Sequence, residues 1–192
     1  MKRGAAIILC CLLFCSCAGK LSSGKAAFLH LRTAWLERES ASLRAAVRAD
    51  CGGRVYDFVL RYEGSETEGL LSVEEPVEIR GVEALIGDND VTLRYDGAML
   101  DTGAVLGRLS ALEAFPLLLK TWRSGCLQDC RRETWKGEAC LTAEFDLTEA
   151  GGEEKRLCLT RFRPNDGTPL FAEFSVDGRT VLTCDFLPPD EN

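Results

Sequence analysis

The chain has 192 residues, with 23 Lys and Arg against 30 Asp and Glu, a formal net charge of −7 and a single histidine. This acidic balance argues against nucleic acid, whose phosphates demand Lys and Arg, and against a polybasic membrane-binding face. With His30 the one histidine, a multi-histidine zinc site has no ligands to draw on, and a His-based catalytic triad would have to use His30, which sits beside Leu29 and Leu31 in a predicted amphipathic helix and is expected to be a surface or boundary residue.

Lys2 and Arg3 precede an uncharged apolar run, GAAIILCCLLF, from Gly4 to Phe14. It falls short of the ~20 residues a spanning helix needs and fits the ~7–15 residues of a signal-peptide core. An ordinary secretory cut asks for small residues before the scissile bond, and Phe14 is bulky. The following stretch, LFCSCAGK, resembles a bacterial lipobox, in which a cysteine becomes the new N-terminus and carries lipid. On that match Cys17 is the lipidated position, Ser16 and Cys15 fit the two places before it, and Phe14 departs from the usual leucine. Cys15 is the poorer cleavage point because Phe14 would then precede it directly. The expectation is a signal peptide over 1–16, a lipidated cysteine and flexible tether over 17–25, and one domain over 26–192, held on the extracytoplasmic face of the cell membrane. Acyl chains gain roughly 0.8 kcal/mol per buried CH₂, so two or three anchor a protein durably. Cleavage before Cys17 removes two bases and no acid, leaving 21 bases against 30 acids, a net of −9.

Residues 26–50 carry Phe28, Leu31, Trp35, Leu36, Leu43, Ala46 and Val47 at roughly helical spacing among good helix formers. They predict one long helix, or two pieces broken near Ser40, ended by Cys51-Gly52-Gly53. The period then changes to two. In RVYDFVLRYEG, Tyr56, Phe58, Leu60 and Tyr62 share a face opposite Asp57 and Arg61. Turn signals follow about every ten residues, including Gly87-Asp88-Asn89-Asp90, Asp96-Gly97, Lys136-Gly137 and Asp177-Gly178. Between them lie short apolar runs: LLSV, VEIRGV, VTLRY, ACLTAEFDL, RLCLTRF, LFAEFSV and TVLTCDF. This pattern predicts an antiparallel meander and not βαβ units. One helical interruption is expected in SALEAFPLLLKTW, residues 110–122. Ser110 and Glu113 have capping-box spacing, and Pro116 requires either a helix that begins near it or a kink.

Six cysteines follow the leader: Cys51, Cys126, Cys130, Cys140, Cys158 and Cys184. Disulfides, free thiols and a thiolate metal site all stay open, although no pair has the tight spacing zinc sites favour. Leu157 and Leu159 are taken as the inner face of their strand, which sets Cys158 outward with Cys140, too far apart for a bridge. The GDND run at 87–90 lacks the loop length, glycine and final glutamate of an EF-hand and is expected to be a hairpin turn. Adjacent acids Glu74-Glu75 and Glu153-Glu154 are expected to be ordinary surface charge, because neighbours on a strand point to opposite faces. Gly103 and Gly107 in TGAVLG form no phosphate cradle, and no nucleophile-elbow, P-loop or dinucleotide motif is present. No cofactor and no metal are expected.

Taken together, YDFVLRY, VEEPVEIRGVEALI, LRYDGAMLDTG, the AFPLLLKTW helix and the terminal PLFAEFSVDGRTVLTCDF hairpin resemble the LolA/LppX-type lipoprotein-carrier fold. The resemblance implies a mainly β, α+β domain: a curved antiparallel half-barrel covered by an N-terminal helix and a short apolar helical insert. It implies a non-catalytic protein. In carrier members the hollow takes acyl chains, and Tyr56, Phe58, Leu60, Val91, Leu93, Tyr95, Leu118 and Phe145 are the expected lining here. The alternative is a scaffold lipoprotein that docks and regulates a cell-envelope enzyme of wall modification, sporulation or germination. The expected partners are therefore the membrane, through the lipid, and a hydrophobic ligand or an envelope protein.

Overall fold

The computed structural model describes residues 23–87, 90–101 and 109–188. The signal peptide and Cys17 lie outside the described residues, as do residues 102–107 of the TGAVLG stretch and the central Asp88 and Asn89 of the GDND turn. The chain enters on helix α1, Ser23–Leu36, which begins inside the span expected to be tether. Gly24, Phe28, Leu31 and Trp35 form its buried side.

The expected second half of that helix is instead strand β1, Ala41–Asp50. Leu43, Ala45, Val47 and Ala49 are buried while Ser42 and Arg48 are exposed, so the segment also carries a period of two. Its helix formers are overridden by position. β1 is the seam of the whole sheet, paired along its full length with β2, Val55–Gly64, and on its other side with β11, Arg179–Phe186.

From β2 the chain moves outward through β3 (Gly69–Glu75), β4 (Glu83–Ile86), β5 (Val91–Tyr95) and β6 (Ala98–Asp101). It returns through β7 (Cys126–Trp135), β8 (Glu138–Asp146), β9 (Arg156–Phe162) and β10 (Pro169–Val176) to β11. The spatial order is β6-β5-β4-β3-β2-β1-β11-β10-β9-β8-β7, an eleven-stranded open sheet whose pairs are all antiparallel. This is the expected half-barrel, two meanders joined where β1 meets β11. Three of the hairpins close on two-residue turns with both residues at positive φ: Asp96-Gly97, Lys136-Gly137 and Asp177-Gly178. That geometry matches the twist of the flanking strands.

Two other expectations change. VEIRGV is not a strand. Residues 77–79 form one 3-10 turn that loops out of the sheet, and Val73 resumes pairing by donating to the Val82 carbonyl (2.9 Å) while accepting from the Gly81 N–H (3.0 Å). Conversely, β7 had no visible signal. As an edge strand it buries only Cys130, and CLQDCRRETW shows no apolar alternation.

Because β6 and β7 are opposite edges of the sheet, the chain between them must cross its face. Helix α2, Ala114–Ser124, lies on that crossing. It starts just before Pro116, which falls in the first turn where a missing N–H costs nothing. Ser110 does not cap it. Its carbonyl accepts from the Glu113 N–H in a preceding turn. The two helices meet through Trp35 and Trp122, whose ring centroids are 4.8 Å apart. Phe28 packs on Phe145 at 5.3 Å, and Trp122 on Phe162 at 5.3 Å.

Gly24 shows how closely α1 seats on β7. A Cβ there would lie 2.3 Å from the Cys130 carbonyl oxygen. Alanine would gain up to about 1 kcal/mol of helix propensity, but overpacking against rigid strand backbone costs about 1–3 kcal/mol. Gly24→Ala is therefore expected to destabilise the fold, read as a lower urea midpoint. A raised midpoint would show that α1 does not dock here.

Candidate ligand-binding face

Opposed residues in an antiparallel sheet share a face, so register reveals what the helix side of the sheet presents. One row crosses five strands: Tyr62, Leu71, Ala84, Leu93 and Leu100 are successive partners from β2 to β6. Tyr62 lies under α2, stacked on Phe115 at 5.7 Å with ring planes 6° apart, which identifies the row as helix-side. The Tyr62 hydroxyl donates to the Ser65 carbonyl (2.6 Å), and burial pushes its ionisation up to about 12. Along the row cover is lost. Tyr62, Leu71 and Ala84 are buried, Leu93 is half-buried and Leu100 is 63% exposed. On the same face Tyr95, opposite Ala98, is 50% exposed. The outer strands thus continue the core's apolar surface into solvent.

The eight expected lining residues separate into three groups. Leu60, Val91, Leu118 and Phe145 are buried in the core. Phe58 and Leu93 are half-buried at its margin, and Tyr56 and Tyr95 are exposed. Leu93 and Tyr95 come together with Leu100 on the outer strands. Tyr56 and Phe58 sit toward the opposite end of β2 beyond its pairing with β3, their rings stacked at 6.3 Å. Leu100 was missed because four-residue β6 offers too short a run to show alternation.

A second feature had no signal in the sequence because its walls come from distant segments. A cleft of about 340 Å³ opens where α1 runs into β1, walled by Trp35, Leu43 and Phe186 and edged by Arg38, Arg44 and Arg61. Arg38 lies over the Trp35 ring at 4.2 Å. Arg44 and Arg61 both bind Glu74, at 2.7 and 2.8 Å. Burial would raise the Glu74 carboxyl, but the two guanidiniums hold it below the usual range. Its neighbour Glu75 is exposed, so the pair does not converge on one site.

The cysteines require a correction. Cys158 faces inward. Register sets it opposite Phe145, with Thr160 opposite Ala143 and Phe162 opposite Leu141. The larger Phe162, and Thr160 accepting from the Trp122 indole N–H at 3.0 Å, decide the inner face over Leu157 and Leu159. Cys140 is buried on the other face, beside Thr142 and opposite Glu133, so the two thiols are on opposite sides of the sheet. All six described cysteines are free; Cys51 and Cys126 are exposed and the others buried. Among the described residues no group of three or more His, Cys, Asp or Glu is placed to hold a metal. His30 is exposed on α1.

Burial pushes the Cys158 thiol from 9.0 to about 12 and the Cys130 thiol to about 11, and raises Cys184 as well. Folding therefore holds these protons more tightly than the unfolded chain does. Their contribution is fully present below pH 9 and is lost as pH climbs through the folded-state values. Among these six cysteines, two are expected to react with a thiol reagent in the native protein and four only on unfolding. The urea midpoint is expected to fall from about pH 9 upward, less steeply in Cys158→Ala. Rapid native labelling of all six would contradict the inward placement.

No family model matches the chain, and no curated protein matches it. Solved structures do. A LolA superfamily protein from Nitrosomonas europaea aligns at 17% identity over 90% of this chain and 80% of its own, with a TM-score of 0.50. A domain named for outer membrane lipoprotein sorting, from Vibrio parahaemolyticus, aligns at 15% over 86% and 77%, also with a TM-score of 0.50. The Mycobacterium tuberculosis lipoprotein LppX aligns at 8% over 86% and 95%, with a TM-score of 0.44. The open antiparallel sheet, the two described helices on one of its faces and the alignments with the Nitrosomonas and Vibrio structures agree: the chain has a LolA-like fold.

Proposed function

We propose that this chain is a non-catalytic extracytoplasmic lipoprotein, anchored through Cys17, that binds a lipid or other hydrophobic ligand on the helix side of its half-barrel. The observation that carries this reading is the unbroken apolar row from Tyr62 to Leu100, which leaves the packed core and ends in solvent. Leu93, Tyr95 and Leu100 form its open end. Covering such surface gains ~25 cal/mol per Å², so an acyl chain laid along the row would extend the core. The inner part of the face is filled: Phe28, Trp35, Phe115, Trp122, Phe145 and Phe162 are all buried there. The ligand site is accordingly placed on β4–β6 and not in a deep central hollow. The likeness to a domain named for lipoprotein sorting supports the same reading.

A scaffold role is the second reading, and a cluster on the opposite face favours it. Trp135 and Phe171 lie 5.4 Å apart, and the Arg161 guanidinium sits over both rings. Half-buried aromatic and arginine side chains of this kind anchor protein interfaces.

Cys17→Ala is expected to move the protein from the membrane and detergent phase to the aqueous phase; unchanged partitioning would remove the anchor. The intact protein is expected to carry co-purified lipid in native mass spectrometry and to bind a fluorescent fatty-acid analogue. Leu100→Asp is expected to weaken that binding by about tenfold or more, since it sets a charge against the chain, while an exposed position leaves the urea midpoint nearly unchanged. No lipid and no probe binding, together with an envelope protein captured by the intact chain and lost in Trp135→Ala, would replace ligand binding with docking.

A further inference from the structure

Helix α1 has two apolar sides. Phe28, Leu31 and Trp35 face the sheet. On the far side Leu29 is 45% and Leu36 is 59% exposed, and Ala26 and Thr33 are exposed with them. At 3.6 residues per turn these four fall within about 80° of one another around the helix axis. Leu29 and Leu36, two turns apart, stand almost one above the other. From Ser23 to Leu36 the helix carries Lys25, His30 and Arg32 and no acid, in a chain whose net charge is −7. Arg32 is turned inward, donating to the Trp122 and Gly125 carbonyls at 3.0 and 2.7 Å. Lys25 reaches the Gln128 carbonyl at 2.9 Å. The outward strip is therefore apolar, and the helix carries no acid between Ser23 and Leu36.

We infer that this outward strip of α1 lies against the lipid bilayer. The inference rests on the proposed anchoring of Cys17. Five residues lie between Cys17 and Ser23, six steps along the chain, and a chain advances at most ~3.3–3.6 Å per residue, so the helix start cannot stand more than about 20 Å from the anchor. The helix itself is about 21 Å long. A body tied this closely to a bilayer must turn some face to it, and α1 is the element nearest the tie. A helix that lies in the interface buries its apolar side ~5–10 Å into the headgroup and acyl boundary, which fits two leucines on one strip. Because α1 covers the helix side of the sheet, the same contact turns that side of the half-barrel, and not its back, toward the membrane.

The test uses the full lipidated protein reconstituted in phosphatidylethanolamine–phosphatidylglycerol vesicles with plain or brominated acyl chains. Tryptophan is introduced in Leu29→Trp, Leu36→Trp and, as a still more exposed control on β6, Met99→Trp. The fluorescence added by Leu29→Trp and Leu36→Trp is expected to be quenched by brominated lipid by roughly half or more, consistent with interfacial depth. That of Met99→Trp is expected to change little. Vesicle co-sedimentation with quenching at positions 29 and 36 no greater than at position 99 overturns the contact while leaving the anchor in place. A dimer in detergent with those positions shielded from lipid overturns it in favour of a second copy. Failure to co-sediment overturns both the anchor and the contact.

Discussion

The constraint on which this structure depends is that one face of a broad open sheet must be roofed by only two described helices, which meet near their C-terminal ends. Both helices end on carbonyls without an intrahelical partner, part-buried where the helices meet. An arginine from each helix takes such carbonyls of the other. Arg32 of α1 donates to the carbonyls of Trp122 and Gly125 at the end of α2. Arg123 of α2 donates to the carbonyls of Trp35 and Arg38 at the end of α1. The cationic side chains also oppose the negative ends of both helix dipoles. Burial lowers the Arg32 pKa, yet a guanidinium stays charged, so the exchange persists across the working pH range. Trp35 against Trp122 fills the space beneath it. The roof is thus held by polar bonds that specify geometry and by aromatic area that supplies the energy.

A roof of this size cannot cover eleven strands. It covers β1 and the return meander densely, through Phe28, Phe145, Phe162 and Trp122, and reaches β2 through Phe115 on Tyr62. Beyond that, strands β4 to β6 keep core-like residues on the helix side with progressively less over them. The outer edge also differs from the far edge. β7 carries Asp129, Arg131, Arg132 and Glu133 and a bulge between Leu127 and Asp129, features that discourage strand addition. β6 carries exposed Met99 and Leu100. The asymmetry concentrates apolar exposure at one end of the sheet, where surface area alone rewards an apolar occupant.

Much of this was legible in the chain. The turn pairs at Asp96-Gly97, Lys136-Gly137 and Asp177-Gly178 announce three hairpins because two consecutive positive φ values demand such residues. What failed did so for identifiable reasons. β1 is built of Ala, Arg and Leu, whose helix preference is real, and only its place between β2 and β11 makes it a strand. β7 hides because Cys130 is the one residue of this edge strand that is buried, too little to mark an apolar alternation. In RLCLTRF two leucines outnumber one phenylalanine, but the inner face goes to the residues that meet Trp122 and Phe28. The expected lining mixed roofed and unroofed positions, since alternation tells which face a residue occupies and not how far the helices reach.

The division between a packed centre and an open margin bears on how the proposed lipid binding would work in a chain anchored as proposed. A deep closed hollow would require the roof to lift, breaking the reciprocal arginine bonds and parting Trp35 from Trp122. An open apolar row requires neither. A ligand entering along Leu100 and Leu93 meets surface already exposed, so binding replaces water on a preformed face and the cost of reordering is small. The trade is partial cover: such a ligand keeps one side toward solvent or toward whatever faces the sheet. Partial cover suits brief exchange of an acyl chain with a nearby bilayer better than long-range transport through water, and a chain held as proposed, with its first helix starting within about 20 Å of a lipid anchor, would have no need of the latter.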